Sequence, residues 1–214
     1  MTALCGVLIF GLCTGRAEPV SSPDRKVVVY LQKGANRDSG QILSFMQGEL
    51  ETQLQSAGYR VQWKSLGNSS DDASVVAVVE LRGVCRVPEA NAYVKPVERG
   101  ASLASTAVDG DQVLPFSWIN CETLTQLLAP ELALAAPGQR DFLYGRAMGR
   151  VLAHELYHFL ANKVGHAESG VAKSSFTAGD VLSEHFIFEG SALAGLKDSS
   201  TPTDAASAEE EPAR

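Results

Sequence analysis

The sequence predicts a single α+β domain, in which a covering helix packs on a β-sheet and a much longer helix follows. Two features carry this prediction. Short runs rich in β-branched residues indicate strands, and two longer segments repeat apolar residues at helical spacing. A chain of 214 residues is long enough to bury one substantial core.

The first half of the chain predicts a β-α-β-β order of elements. Residues 26–31 are rich in valine and form a strand, and residues 41–57 show the helical period and stop at a glycine. Residues 59–63 alternate as a half-buried strand does, whereas residues 75–81 are almost continuously apolar and favour a central strand. This order predicts a sheet with at least one covering helix.

A hairpin and a short helix are predicted next. Residues 101–108 and 112–119 are β-like runs separated by an Asp-Gly-Asp turn, and Pro115 is expected at an edge or a bulge. Residues 121–128 form a short helix that is expected to end before Pro130.

The longest predicted helix covers residues 139–164 and is apolar or small around most of its circumference. Gly145 and Gly149 on it would let another backbone approach closely. Gly165 is expected to adopt the left-handed conformation that reverses the chain after the helix. A last helix is predicted over residues 180–188, capped by Thr177 or Asp180.

The two ends of the chain are expected to lie outside the folded domain. Residues 1–17 resemble an export signal, with an apolar run too short to span a bilayer and small residues before a cleavage point after Ala17. Lipid modification of Cys13 is the alternative. Residues 196–214 form a predicted disordered acidic tail, which leaves a domain of residues 18–195. The mature protein is therefore expected to be secreted or periplasmic, with no integral membrane segment.

Cysteine content and charge agree with export. After signal removal two cysteines remain, Cys85 and Cys121, and an even pair in an exported protein predicts a disulfide. Closing the loop between these two cysteines stabilises the folded protein by roughly 3–4 kcal/mol on the chain-entropy model. Two separate buried thiols are the alternative. The net charge of −7 argues against nucleic acid or an anionic membrane surface as a partner.

The most informative segment reads His154-Glu155-Leu-Tyr-His158, with His166 eight residues further on. On a helix His154 and His158 share one face, and Glu155 lies about 100° round from His154. This H-E-x-x-H arrangement is typical of sites where Zn²⁺ lowers the pKa of a water and a carboxylate takes its proton. The apolar flanks predict burial, and buried imidazoles need partners. The alternative is a pair of satisfied core histidines.

With these residues the chain resembles the zincin metallopeptidases, and within them the metzincin-like group. The resemblance implies a mixed sheet, a hairpin edge and an active-site helix. It also implies that His154, His158 and His166 hold zinc, and that Glu155 is the general base in hydrolysis of a peptide bond. The substrate would be a protein or peptide, lying antiparallel to the sheet edge.

The chain departs from the metzincin pattern in two respects. Ala161 stands where the group has a glycine, and His166 comes two residues late. No methionine follows Met148, so the floor under the metal is expected to come from Phe176 or the apolar residues near Val181.

Two alternatives stay open at this point. Glu184, 26 residues after His158, is the competing third ligand, because gluzincin-type enzymes take a carboxylate from a later helix. An exported zinc-binding module without catalytic turnover is the competing function. His185 is expected to be a satisfied surface or core histidine.

Overall fold

The structure is a computed structural model, and it describes residues 25–34, 40–65, 75–89 and 92–199. The predicted export signal of residues 1–17 lies outside the described residues, as do residues 200–214 of the predicted tail. None of the described helices is long and apolar enough to span a lipid bilayer.

In the part of the chain that the structure describes, five strands form one mixed sheet in the order β2-β1-β3-β5-β4. The first four strands in this order run parallel, and β4 pairs antiparallel with β5 at the edge. Their bounds are Arg25–Gln32 (β1), Tyr59–Lys64 (β2), Val75–Arg82 (β3), Ala104–Asp109 (β4) and Gln112–Asn120 (β5). The predicted α+β class, the hairpin and its place at the sheet edge are confirmed.

Pro115 lies within an irregular stretch of β5, where residues 114–116 face the single residue 107 of β4, in agreement with the predicted edge or bulge. The register of β4 against β5 shifts between Thr106 and Val108. The pairing of β5 with β3 begins only at Phe116, so the missing N–H of the proline interrupts no ladder there.

The described residues also form five α-helices. Their bounds are Gly40–Ser56 (α1), Cys121–Leu134 (α2), Arg140–Leu160 (α3), Ala178–Leu182 (α4) and Gly190–Asp198 (α5). Short 3₁₀ turns precede α3 at Pro137–Gln139 and lie in the following loop at Gly170–Ala172. Thr177 caps α4 through a capping box with Asp180, which confirms the predicted cap.

The two glycines of α3 bring α1 into close contact with it. A Cβ atom on Gly145 would lie 2.5 Å from the Ile42 carbonyl oxygen, and one on Gly149 would lie 2.6 Å from the Met46 carbonyl oxygen. The predicted close approach is therefore confirmed, and α1 is the element that approaches. This contact fixes the helix that carries the histidines against the core.

One helix boundary and the start of the tail differ from the prediction because tertiary contacts override local signals. Helix α2 continues through Pro130 to Leu134. Leu124, Leu128 and Leu132 on one face are buried. Leu132 is the one of these that lies beyond the proline, and its burial, worth about 1.5–3 kcal/mol, is of similar size to the roughly 3 kcal/mol cost of an interior proline. Helix α5 includes residues 196–198 with Leu196 buried, so the predicted boundary of the tail falls inside a helix.

The predicted helix over residues 180–188 is wrong beyond Leu182. Phe186 and Phe188 are buried while Ile187 between them is exposed, and this alternation suits an extended segment rather than a helix. The buried guanidinium of Arg150 donates to the carbonyl oxygens of Val181 and Ser183, which satisfies the end of α4. The chain therefore leaves the helix at that point.

Cys85 and Cys121 are joined by a disulfide, as predicted from their number. Both cysteines are fully buried. The bond ties the chain after β3 to the start of α2.

Candidate metal and catalytic site

Helix α3 brings His154 and His158 together on one face, with Glu155 beside them, and all three side chains are buried. The two imidazole rings lie edge to face with centroids 4.7 Å apart. Their Nε2 atoms are 3.1 Å apart. The i, i+4 spacing thus produces the convergence that the motif predicts.

Backbone carbonyls fix the tautomer of both rings. His154 Nδ1 lies 2.7 Å from the Val171 carbonyl oxygen, and His158 Nδ1 lies 2.6 Å from that of Lys163. A carbonyl oxygen can only accept, so each Nδ1 carries the proton and donates it. Burial lowers the pKa of both rings, that of His154 to about 4, so both are neutral near pH 7.

The two Nε2 atoms therefore face each other as acceptors and cannot satisfy one another. Two tetrahedral zinc ligands at about 2.0–2.1 Å from the ion would be roughly 3.4 Å apart, close to the observed separation. A backbone carbonyl behind each ring is also the usual support of a metal-bound histidine. This donor set fits a divalent metal ion.

His166 completes a group of three imidazoles whose ligand nitrogens all lie within 4.8 Å of one another. Its ring stacks on that of His154, with centroids 5.3 Å apart, and lies perpendicular to that of His158. The loop holds it there because the Ala167 N–H donates to the Ala172 carbonyl oxygen. Unlike the other two, His166 is exposed, so the site is open on its side.

The turn that brings His166 back begins at Asn162 and not at the predicted Gly165. Asn162 has a φ of 45°, in the left-handed region that asparagine tolerates better than most residues. The Asn162 N–H donates to the Phe159 carbonyl and the Lys163 N–H to the His158 carbonyl, which is the hydrogen-bond pattern of a Schellman cap. This cap also aims the Lys163 carbonyl at the ring of His158. Gly165 is not among the residues with positive φ.

The carbonyl behind His154 depends on Gly170. Its φ is 68°, and a Cβ atom there would lie 2.4 Å from the Ile187 carbonyl oxygen. The same carbonyl accepts from the Val171 N–H, which leaves the Val171 carbonyl directed at His154. Close packing of the loop against residue 187 therefore orients the first predicted ligand.

Glu155 forms no ion pair with any described residue, and its carboxylate accepts a hydrogen bond from Thr106 of β4 at 2.7 Å. Burial raises the pKa of Glu155 to about 7, although this hydrogen bond acts in the opposite direction. A carboxyl group with such a pKa is suited to exchange protons near neutral pH.

Glu155 and the three histidines open onto one cavity of about 420 Å³. One wall is the segment 101–106, which includes the start of the edge strand β4. Residues 174–176 form part of the other wall. Phe176 packs edge to face on His154, with centroids 5.1 Å apart, so it contacts a predicted ligand.

Glu184 and His185 are placed differently. Both are exposed, and neither lines this cavity. Among the described residues Glu184 does not belong to the group of converging metal ligands. The geometry therefore brings together His154, His158 and His166, and leaves Glu184 apart.

Several residues that shape the site were not singled out from the sequence. Asn162 carried a usable signal, because asparagine just past a helix end is a known cap. Gly170 carried a weaker one. Thr106 carried none, because its contact with Glu155 crosses 49 positions of the chain. The carbonyls of Lys163 and Val171 are backbone groups, so no residue type in the sequence indicates their contacts.

Comparison with known proteins gives little further information. No family model matches the chain, and no curated protein matches it significantly. The chain is similar to the crystal structure of archaemetzincin from Methanopyrus kandleri, with a TM-score of 0.46 and 13% identity. The match covers 85% of this chain and 97% of the archaemetzincin chain. A likeness at this level assigns neither a family nor an activity to the chain.

Proposed function

We propose that the protein is an exported, zinc-dependent metallopeptidase. The observation that carries the proposal is the pair of neutral imidazoles with Nε2 atoms 3.1 Å apart, beside a buried carboxylate that forms no ion pair with any described residue. A purely structural site needs no such carboxylate, and structural zinc favours a closed shell of four ligands, often with cysteines. Both described cysteines are committed to the disulfide.

In this proposal His154, His158 and His166 hold the ion. Zinc, when bound, supplies a Lewis acid that polarises the substrate carbonyl and lowers the pKa of the attacking water. Glu155 accepts the proton of that water and later transfers it to the leaving amine nitrogen. The cavity walls and the ring of Phe176 limit access of bulk solvent to the buried part of the site.

The substrate of this proposal is an extended peptide that adds a strand to the sheet. Strand β4 is an edge strand and borders the cavity, so its outer side is available for antiparallel pairing. A peptide lying there would pass Glu155, because Thr106 of the same strand contacts that carboxylate.

Export is supported by the disulfide, since disulfides persist in oxidising compartments outside the cytoplasm. Reducing the disulfide and removing the metal in separate experiments would distinguish their contributions to the free energy of unfolding. The predicted export signal is tested by sequencing the N-terminus of the mature protein, which is expected to begin after Ala17.

The decisive experiment compares wild type with Glu155→Gln on a mixed peptide library and measures zinc in both. We expect stoichiometric zinc in both proteins and cleavage by wild type alone. Equal cleavage by both would place the base elsewhere or reveal a contaminant. Zinc without cleavage in wild type would favour the zinc-binding module, and absence of zinc would remove the proposal.

The third ligand is tested by two further variants. His166→Ala should weaken zinc binding by a large factor, whereas Glu184→Ala should leave it near the wild-type value because that side chain is exposed and apart from the histidines. The opposite result would assign the third position to Glu184. Because His166 is itself exposed, its replacement should leave the fold intact.

A further inference from the structure

The carboxylate of Glu155 is held from outside its own helix, by a hydroxyl of the edge strand. Thr106 Oγ1 lies 2.7 Å from Glu155 Oε2 and 3.1 Å from the carbonyl oxygen of the same residue. Within the described part of the chain no other side chain hydrogen-bonds to this carboxylate. The second oxygen, Oε1, is therefore left for groups that enter the cavity.

The direction of this hydrogen bond follows from the number of hydrogens that each group can donate. A threonine hydroxyl donates one hydrogen, and an ionised carboxylate is a stronger acceptor than a backbone carbonyl. The proton of Thr106 therefore points to Oε2, the nearer of its two acceptors. Ser117 Oγ on β5 lies 3.0 Å from Thr106 Oγ1, and Ser117 is buried. When Glu155 is ionised, as it must be to act as base, the proton of Thr106 is already used, and Ser117 is then the donor in that pair.

The result is a directed chain from Ser117 to Thr106 to Glu155 that crosses from the sheet to α3. The helix fixes only the Cα–Cβ direction of Glu155, and three side-chain torsions remain for the carboxylate. The two hydroxyls restrict these torsions. They also couple the carboxylate to β4, the strand on which the proposed substrate would lie.

We propose that Thr106, supported by Ser117, is a positioning residue that orients Glu155 for proton transfer. This inference rests on the proposed peptidase function. Thr106 is not a metal ligand and takes no proton itself, so its contribution acts through Glu155 alone. Misplacement of a reacting group by about 1 Å can reduce a rate by about a hundredfold, so losing the restraint should affect turnover more than binding.

Two variants of Thr106 distinguish the effect of its hydroxyl on activity from the effect of its shape. Thr106→Val keeps the branched shape and removes the hydroxyl, and it should lower kcat by about ten- to a hundredfold with KM and zinc content near wild type. Thr106→Ser keeps the hydroxyl and should restore most of kcat. Ser117→Ala removes only the supporting donor and should have a smaller effect, because Thr106 can still donate to Glu155.

A matched control is Thr125→Val on α2, which also removes a hydrogen-bonded threonine hydroxyl, here one that contacts the Cys121 carbonyl and Tyr144. It should lower the free energy of unfolding without changing kcat. If Thr106→Val loses activity only in proportion to folded protein, or if Thr106→Ser does not restore kcat, the positioning role is refuted. Failure of the peptidase proposal is distinguishable, since wild type itself would then show no cleavage that Glu155→Gln removes.

Discussion

Replacement of Asn162 should weaken zinc binding, although Asn162 is not itself a proposed ligand. Its left-handed backbone and its side chain perform separate tasks. The φ of 45° closes the Schellman cap that aims the Lys163 carbonyl at His158, and Oδ1 accepts a hydrogen bond from the Val113 N–H of β5 at 3.1 Å. The one residue therefore joins the end of α3 to the hairpin beside the cavity.

Asn162→Ala should lose both contributions. An alanine in the left-handed region is strained by about 1 kcal/mol. The loss of the acceptor for the buried Val113 N–H adds about 1–2 kcal/mol. We expect the free energy of unfolding of the metal-free protein to fall by about 2–3 kcal/mol, and Tm to fall by about 4–12 °C. Zinc affinity should fall by about ten- to a hundredfold, because the support behind His158 is loosened.

Two other variants divide these effects. Asn162→Gly keeps the left-handed conformation and loses the acceptor, so it should destabilise the fold by about 1–2 kcal/mol with zinc affinity near wild type. Asn162→Asp keeps both features and should resemble wild type. The assays are thermal unfolding without metal and zinc competition with a chelator. If Asn162→Ala bound zinc as tightly as Asn162→Gly, the link between the cap and His158 would be refuted.

Three further results are expected. In the metal-free protein the pKa of His154 is lowered to about 4. Between about pH 6.5 and 4 the unfolded chain therefore binds a proton that the folded protein does not, so the free energy of unfolding should fall as the pH drops through this range. Burial raises the pKa of Glu155 to about 7, so protonation of this group stabilises the folded protein as the pH drops from about 7 to 4.5. Glu155→Gln removes this stabilisation, so the free energy of unfolding measured in urea should fall more steeply with falling pH. Gly149→Ala should destabilise the fold by about 1–3 kcal/mol, since its Cβ would lie 2.6 Å from the Met46 carbonyl oxygen, whereas Gly48→Ala, with no atom within 4 Å, should not. In the peptide library, charged residues near the cleaved bond should suppress cleavage, because the described residues lining the cavity include no lysine, arginine or aspartate and Glu155 is their one acidic residue. Equal cleavage of charged and apolar sequences would contradict this.

Prediction from the sequence succeeded where the signal is local. The strand over 75–81 and the helix over 41–57 lie within one residue of the observed bounds of β3 and α1, because burial on one face imposes a period that a short window reveals. It failed at helix ends. Helix α2 continues through Pro130 because of burial in the core, which no local window contains. Asn162 did carry a local signal, but glycine is the commoner residue at such a helix end, and this preference favoured Gly165 instead.

The sequence by itself determined that His154, Glu155 and His158 share one buried helical turn, because the geometry of a helix follows from spacing alone. Only the tertiary structure decided which nitrogen of each ring is free, since the carbonyls of Val171 and Lys163 that accept hydrogen bonds from the two Nδ1–H groups belong to segments folded back on α3. It also decided that Thr106 reaches the carboxylate of Glu155, because that contact exists only after the hairpin has packed against the helix.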